Sequence, residues 1–353
     1  MHKPRVLFIL KRRHDYNTDK HTYIGLSTGL YNSASFMHNM LSECDIKSHI
    51  SVVVDNNGID AEVCKFRPTH VIIEALWVTP TKFAVLTKLH PKVKWIIRLH
   101  SEVPFLANEG IAFDWLGDYV TYKNVSIAAN APRALKEIRF YLKHKINCNE
   151  EVINQRVIYL PNFYPQDYKT KKFNKEKKHI DVCCFGAIRP LKNQLIQALA
   201  AVQFAEKIGK KLKFHINSGR VEQKGNSVLN NLKSLFEHLH DEGHELINHE
   251  WAPRKEFLEI CGKMDIGMQV SLSETFNIVG ADIISQGVPL VASPEIPWAN
   301  SLFCGNPVES EEIYNALMLT YKFPKLNVIT NKYFLKTYTN KSKNTWVKYL
   351  YKK

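Results

Sequence analysis

The sequence predicts an α/β protein built from two doubly wound, parallel-sheet domains. Short continuous apolar runs, typical of buried parallel strands, alternate with helix-like segments through the first half of the chain. A polar, lysine-rich stretch at residues 165–179 interrupts this alternation and is typical of a linker. The alternation then begins again. The predicted domains therefore cover residues 1–165 and 180–330.

The individual elements follow from these apolar runs. In the first half the predicted strands are RVLFIL, HISVVVD, THVIIEALWV, KWIIRLH, VSIAAN and RVIYLPNFY. Helix-like segments separate them, and one of these, TPTKFAVLTKLHP, has a proline near its first turn. In the second half the predicted strands are IDVCCFG, LKFHINSG, HELINHEWA, DIGMQVS and PLVAS. A last helix is predicted over residues 331–353.

The charge of the chain favours a polyanionic partner. The 48 lysine and arginine residues exceed the 34 acidic residues, which gives a net charge of +14. From Tyr314 onward there are nine lysines and no acidic residue. A positive field of this kind concentrates nucleic acid, anionic membrane or nucleotide-sugars, although it can also serve solubility alone.

Several classes of protein are disfavoured. The seven cysteines include no C-x-x-C pair, and their odd number argues against a disulfide framework. The first apolar run, VLFIL, is too short for a signal peptide. No apolar stretch approaches the roughly 18 residues of a membrane span. We therefore expect a cytoplasmic protein without membrane insertion.

In open parallel sheets, ligands bind beyond the carboxyl ends of the strands, so the strand-end loops are the candidate sites. The loop FGAIRPLKN follows the first strand of the second half. Gly186 allows a tight turn there, and Arg189 and Lys192 place two cations near the next helix. The loop is a candidate anion site, and the alternative is a turn with solvated surface charges.

The stretch SETFNIVGAD carries a second candidate site. Glu274 lies at a predicted strand end, and a helix is expected to begin near Phe276 or Asn277. Asp282 lies about two turns further along that helix. It can accept hydrogen bonds from hydroxyl groups. The alternative is a helix N-cap with one surface acid.

Two loops of the first half complete the candidates. His100 ends the strand KWIIRLH and could donate a hydrogen bond or act in acid–base chemistry, although a packed histidine is equally compatible. The loop after the first strand contains Gly29, which allows close approach of a ligand. The basic residues of the same loop are Lys11, Arg12, Arg13 and Lys20. No paired-aspartate or phosphate-loop motif occurs, so no metal is predicted.

Taken together, these features resemble the GT-B glycosyltransferases, whose two Rossmann-like domains face a central cleft. The run SETFNIVGADIISQGVPLVAS is similar to the E-x7-E segment of the large retaining family that uses nucleotide-sugars. The resemblance covers nearly the whole chain and is most specific from Phe185 to Pro294. The chain departs from the family pattern at two positions. Asp282 stands where Glu is usual, and Ala187 follows the glycine where arginine is usual.

The resemblance implies a role for each candidate residue. Gly186, Arg189 and Lys192 would hold the donor diphosphate, with Gly29 also against the phosphates. Glu274 would contact the transferred sugar, and His100 would lie by its anomeric centre. The backbone N–H groups of Phe276, Asn277 and Ile278 would bind sugar and phosphate, and Asp282 would bind the ribose. The leaving diphosphate would be stabilised without a metal, and the last helix would cross back to the first domain.

The acceptor is not fixed by these motifs. The basic residues of the first loop and the phage-like size of the chain favour double-stranded DNA carrying 5-hydroxymethylcytosine, with UDP-sugar as donor. A lipid-linked or surface-glycan acceptor at an anionic membrane is the alternative. A non-catalytic nucleotide-sugar or DNA-binding module is a third. No permanently bound cofactor is expected, and we expect a monomer.

Overall fold

The computed structural model describes residues 3–12, 28–146 and 149–352. Two parallel-sheet α/β domains are present, which confirms the predicted fold class. The chain divides into two compact units. Unit 1 consists of Met1–Pro165 together with Thr339–Lys353, and unit 2 is the continuous segment Gln166–Tyr338.

Unit 1 contains a six-stranded parallel sheet in the order β2-β1-β3-β4-β5-β6. Its strands are β1 (Arg5–Lys11), β2 (Lys47–Val53), β3 (His70–Glu74), β4 (Lys94–Arg98), β5 (Val125–Ala129) and β6 (Val157–Tyr159). Its helices are α1 (Thr28–Glu43), α2 (Gly58–Phe66), α3 (Pro80–Leu89), α4 (Val103–Leu106), α5 (Ala112–Tyr119), α6 (Pro132–Lys145) and α7 (Glu150–Arg156). All five residues of β3 are buried, as expected for a sheet covered on both faces.

Unit 2 contains a five-stranded parallel sheet in the order β11-β10-β7-β8-β9. Its strands are β7 (His179–Cys183), β8 (Lys211–Ile216), β9 (Glu245–Asn248), β10 (Ile266–Gln269) and β11 (Leu290–Ala292). Its helices are α8 (Gln194–Lys207), α9 (Asn226–Leu239), α10 (Arg254–Lys263), α11 (Ile278–Ser285) and α12 (Ser310–Lys322). A further helix, α13 (Pro324–Leu350), begins in unit 2 and ends in unit 1.

The predicted linker, 165–179, lies along unit 2. Residues 166–178 contain no helix or strand. The backbone N–H of Lys169 nevertheless donates to the Ser285 carbonyl at 2.6 Å, and the Lys177 ammonium lies 3.0 Å from Asp265. The lysine-rich stretch that suggested a linker in the sequence therefore makes specific contacts with the rest of unit 2.

Helix α13 has a polar buried face within unit 2. Asn327, Asn331 and Leu335 follow one another at intervals of four residues and are all buried. The Asn327 amide donates to the Leu290 carbonyl and accepts from the Leu290 N–H, both at 2.9 Å. Because β11 is the edge strand of the sheet, Asn327 occupies backbone groups that no neighbouring strand pairs.

The final part of α13 completes the core of unit 1. Trp346 is fully buried, and its indole N–H donates to the Pro161 carbonyl at 2.8 Å. Its ring lies 6.3 Å from that of Phe8 in β1. Among the described residues, no helix is both long enough and apolar enough to cross a membrane.

Candidate functional site

The strand order of unit 2 locates its candidate site. The chain runs outward from β7 through β8 to β9, and then returns to place β10 on the other side of β7. The strand order therefore reverses between β7 and β10, and ligands of doubly wound sheets bind beyond the carboxyl ends at such a switch point. Two predicted site loops follow these two strands: residues 184–193 follow β7, and residues 270–277 follow β10.

The loop after β7 turns at Gly186. Its φ of +120° is strained for any residue with a side chain, and its N–H donates to the Asn217 side chain at 2.9 Å. Arg189 has an extended backbone and lies 3.5 Å from the Glu222 carboxylate. A single 3-10 turn, Pro190–Lys192, then leads to α8, which begins at Gln194 rather than directly at the basic residues.

Lys192 and Glu274 meet at the switch point. The Lys192 ammonium forms an ion pair with Glu274, and their side chains are only 11% and 8% exposed. The Leu272 N–H donates to the Leu191 carbonyl at 2.9 Å, so the two loops are also joined through their backbones. The structure therefore brings together two residues that the sequence placed 82 positions apart. A nearly buried ammonium beside a carboxylate can bind an anion and a hydroxyl group next to each other.

The start of α11 is built by Asn277. This residue has a φ of +62°, and its side-chain oxygen accepts from the Gly280 N–H at 2.7 Å. Its amide nitrogen donates to Gln269 at 2.9 Å, which fixes the cap against β10. Ile278 is the first helical residue, and the first N–H groups of an α-helix have no partner within the helix. The Asn277 side chain is thus used structurally, while the backbone remains suited to an anion.

Phe276 has its ring inside the unit. It is 1% exposed and packs against the rings of Trp298 and Tyr338. The Trp298 indole donates to the Phe276 carbonyl at 2.6 Å. These contacts fix the peptide that leads into α11, so the predicted contribution of Phe276 is restricted to its backbone.

Asp282 is buried and paired. Its carboxylate accepts from the Arg254 guanidinium at 2.6 Å, and its side chain is 3% exposed. Sequence reasoning missed Arg254. A cation at the start of a helix is opposed by the helix dipole, and α10 begins at Arg254, so this position itself indicated an acidic partner.

His100 lies over a buried polar cluster in unit 1. Its Nε2 is hydrogen-bonded to Glu74, the last residue of β3. The Arg98 guanidinium, fully buried at the end of β4, lies 3.0 Å from the other Glu74 oxygen. Arg98 also donates to Asn162, and its guanidinium lies 5.4 Å from the centre of the Trp346 ring. Sequence reasoning identified His100 but neither Glu74 nor Arg98.

Burial and the neighbouring charges determine the protonation state of His100. Burial lowers the pKa of His100, although Glu74 acts in the opposite direction. Burial opposes the ionisation of Glu74, but Arg98 and His100 together hold its pKa below the usual value. At neutral pH Glu74 is therefore ionised and His100 neutral. Because a carboxylate only accepts, Nε2 carries the proton and Nδ1 is the acceptor nitrogen of the ring.

The remaining predicted residues lie at the start of unit 1. Lys11 and Arg12 are exposed at the end of β1. Gly29 is exposed in the first turn of α1, with no atom within 4 Å of the position of an added Cβ. Arg13 and Lys20 lie outside the described residues. The structure therefore describes only part of the predicted basic loop.

Comparisons with known proteins bear on the fold. No protein-family model matches the sequence, and no curated protein is significantly similar to it. Among solved structures, the E. coli trehalose-6-phosphate structure bound with UDP-2-fluoro glucose shares 11% identity over 98% of each chain, with a TM-score of 0.69. Sucrose-phosphate synthase from Thermosynechococcus elongatus shares 9% identity over 98% of each chain, with a TM-score of 0.66.

A third structure, HepE from Anabaena in complex with UDP, shares 13% identity over 98% of this chain and all of that one, with a TM-score of 0.61. At identities this low the likeness concerns the fold. The two parallel-sheet α/β domains of this chain have the GT-B architecture of these proteins.

Proposed function

We propose that this chain is a glycosyltransferase that moves a sugar from a nucleotide-sugar, with UDP as the nucleotide, to a hydroxyl acceptor. The observation that carries the proposal is the Lys192–Glu274 ion pair at the switch point of unit 2, beside the start of α11. Structures of the same fold bound to UDP-2-fluoro glucose and to UDP support the choice of donor.

The residues around this pair suit the parts of such a donor. Lys192, Arg189 and the turn at Gly186 are proposed to hold the diphosphate, together with the N–H groups of residues 276–278. Asp282 is proposed to accept hydrogen bonds from the ribose while it stays paired with Arg254. Gly29 and His100 are proposed to contact phosphate and transferred sugar, His100 as a neutral hydrogen-bonding group.

The ion pair itself suggests how donor binding proceeds. Without a donor, Lys192 and Glu274 satisfy each other. A diphosphate offers Lys192 a more highly charged partner, and Glu274 is then released to accept from sugar hydroxyl groups. Separating the pair without a ligand would leave two nearly buried charges unpaired, which is unfavourable. The pair is therefore proposed to separate only when a diphosphate replaces Glu274 beside Lys192.

For the reaction we propose transfer with retention of configuration, the course named for a trehalose-6-phosphate synthase of the same fold. The bond from the anomeric carbon to the diphosphate breaks, and the leaving diphosphate is stabilised by Lys192, Arg189 and the start of α11. The acceptor hydroxyl forms the new bond and gives its proton to the departing phosphate. Glu274 orients the sugar and is not proposed as a nucleophile.

We propose two candidate acceptors for the sugar. The first is 5-hydroxymethylcytosine in double-stranded phage DNA, which rests on the net charge of +14 and on the basic loop that begins at Lys11 and Arg12. The second is a lipid-linked or surface glycan at an anionic membrane. Incubation with UDP-sugars and each acceptor, followed by mass spectrometry, distinguishes them: mass gain on the lipid acceptor alone would exclude the DNA hypothesis.

The donor site is tested by Lys192→Ala and Glu274→Ala. We expect Lys192→Ala to weaken UDP binding in calorimetry, since it removes a cation from the diphosphate. Glu274→Ala should retain UDP binding but lower the rate of UDP release from UDP-sugar about 100-fold or more, since it acts on the sugar. Both variants should remain folded.

Lys213→Ala and Glu245→Ala are the matched controls, because they also remove the two partners of a lysine–glutamate pair in unit 2, here an exposed one at 4.0 Å. Both should behave as the unchanged protein does. Full activity in Lys192→Ala or Glu274→Ala would refute the assignment. Binding of UDP-sugar by the unchanged protein without turnover on either acceptor would indicate the non-catalytic module instead.

A further inference from the structure

Helix α13 presents apolar side chains to solvent along its part in unit 2. Leu326, Ile329 and Tyr333 follow at intervals of three and four residues, so they form one stripe along the helix. They lie opposite the buried Asn327 and Asn331. Ile329 and Tyr333 are 65% and 66% exposed, and Leu326 is 45% exposed. We call these three residues, with the exposed Phe323 and Phe334 beside them, the α13 stripe.

The stripe is bordered by positive charge. Lys325, Lys332 and Lys336 follow at helical spacing along one edge of it. Lys325 and Lys336 are exposed, while the Lys332 ammonium donates to the Lys169 carbonyl at 2.6 Å. Since no acidic residue occurs in the chain from Tyr314 onward, no charge within α13 neutralises these lysines.

In this part of α13 polar side chains face inward and apolar side chains face solvent, and the contacts of the helix with unit 2 explain why. Asn327 and Asn331 face inward because their amides satisfy backbone groups of Leu290 and Asn300. In this part of unit 2 the helix is therefore held by Asn327 and Asn331 as well as by Leu335, while Leu326, Ile329 and Tyr333 stay at the surface. Exposed aliphatic and aromatic side chains in a continuous line are typical of an interaction surface.

Charge and shape together select the partner. A second copy of the chain, related by a two-fold axis, would place the same lysines face to face. DNA phosphates would suit the lysines but would leave Leu326 and Ile329 against a polar backbone. An anionic lipid bilayer provides both an apolar layer and negative headgroups, in the order that a helix lying in the interface requires.

We propose that the α13 stripe docks this protein on an anionic lipid surface. The helix lies parallel to the membrane, with Leu326, Ile329 and Tyr333 at the boundary between headgroups and acyl chains. Lys325 and Lys336 extend from its edge to the lipid phosphates. This is binding at the surface and needs no membrane-spanning segment. It goes beyond the proposed sugar transfer, because it involves none of the donor-site residues.

The test is cosedimentation of the full chain with vesicles. We expect binding to vesicles of phosphatidylglycerol and phosphatidylcholine in equal parts, release at high salt, and no binding to phosphatidylcholine alone. Ile329→Asp should weaken binding about tenfold or more, because it places a charge in the apolar layer and opposes the headgroups. UDP binding should be unchanged in this variant, so the result is independent of the donor site.

Val308→Asp is the matched control. Val308 is also β-branched, is 63% exposed and lies in unit 2, but it precedes three acidic residues, Glu309, Glu311 and Glu312. The Val308→Asp variant should bind vesicles as strongly as the unchanged protein does. If Ile329→Asp does not fold, Tyr333→Ser provides the same test without an introduced charge.

Three results would overturn the proposal. The first is equal pelleting of Ile329→Asp and the unchanged protein. The second is equal binding of the unchanged protein to neutral vesicles. The third is an effect of Ile329→Asp on duplex-DNA retention or on oligomeric mass without an effect on vesicles, because either would assign the stripe to a different partner.

Discussion

At the scale of single residues, His70 links burial in unit 1 to acid sensitivity. It is 4% exposed at the start of β3, and burial, with a smaller effect of Lys94, lowers its pKa to about 4. The unfolded chain therefore binds a proton at His70 at a higher pH than the folded chain does. Protonation at His70 therefore costs the folded chain no stability above about pH 6.5, and the cost grows as the pH falls to 4.

We expect His70 to cost the folded chain about 3 kcal/mol of stability between pH 7 and pH 4. Hydrogen exchange in β3 as a function of pH measures this loss within unit 1. His70→Gln should remove this pH dependence. His240→Gln, at a histidine that is 78% exposed, is the control. The same acid sensitivity in His70→Gln as in the unchanged protein would contradict the prediction.

The pairing of Lys192 with Glu274 was within reach of the sequence, whereas the state of Asp282 was not. Both members of the first pair follow strands, and parallel strands bring their carboxyl ends to one edge of a sheet. Asp282 and Arg254 are instead joined by the packing of two helices. The hydrophobic pattern of a helix predicts its buried face, but it does not predict which other helix packs against that face. For the same reason Glu74 and Arg98, which lie beneath His100, could be predicted only as the ends of buried strands.

At the scale of elements, Gly225 allows the loop of Arg189 to pack closely against the start of α9. It precedes α9, and a Cβ at this position would lie 2.2 Å from the carbonyl oxygen of Ile188. A backbone atom cannot avoid this overlap by changing a rotamer. Gly225→Ala should therefore destabilise unit 2 by about 1–3 kcal/mol and weaken UDP binding by displacing Arg189.

Urea unfolding and calorimetry with UDP measure the two effects. Gly110→Ala is the control, since no atom lies within 4 Å of its added Cβ. Unchanged stability in Gly225→Ala would show that the Ile188 loop adapts, and would remove the argument that this loop is rigid.

Elements differ in how far their sequence determines them. The buried strands were predictable because short apolar runs, such as the VII of HVIIE in β3, have few alternatives in a parallel sheet. Helix α13 was not. Its predicted start at 331 lies after the observed Pro324, and apolar residues at 326, 329 and 333 would ordinarily indicate the buried face. The asparagines lie on the buried face instead, because the edge strand β11 has unpaired backbone groups at Leu290 that Asn327 binds.

At the scale of the whole molecule, unit 1 is assembled from both ends of the described chain. Trp346 is its clearest link, with its ring against β1 and its indole bound to Pro161. Trp346→Ala should cost unit 1 about 3–5 kcal/mol, since it empties a fully buried site and leaves the Pro161 carbonyl without this donor. Unit 2 should keep its stability.

Trp298→Ala is the reciprocal control, because Trp298 is 1% exposed and belongs to unit 2. Hydrogen exchange resolved along the chain should assign each loss of protection to its own unit. If both variants destabilised both units equally, the chain would unfold as one body and the prediction would fail.

This arrangement has a consequence for synthesis on the ribosome. Unit 2 is one continuous segment, and all of it has been made before residues 339–353 are added. Unit 1 begins first in the chain but lacks Trp346 until those residues appear. The order of translation is therefore the reverse of the order of completion. During synthesis, part of the core of unit 1 therefore stays uncovered while unit 2 is already complete and can fold.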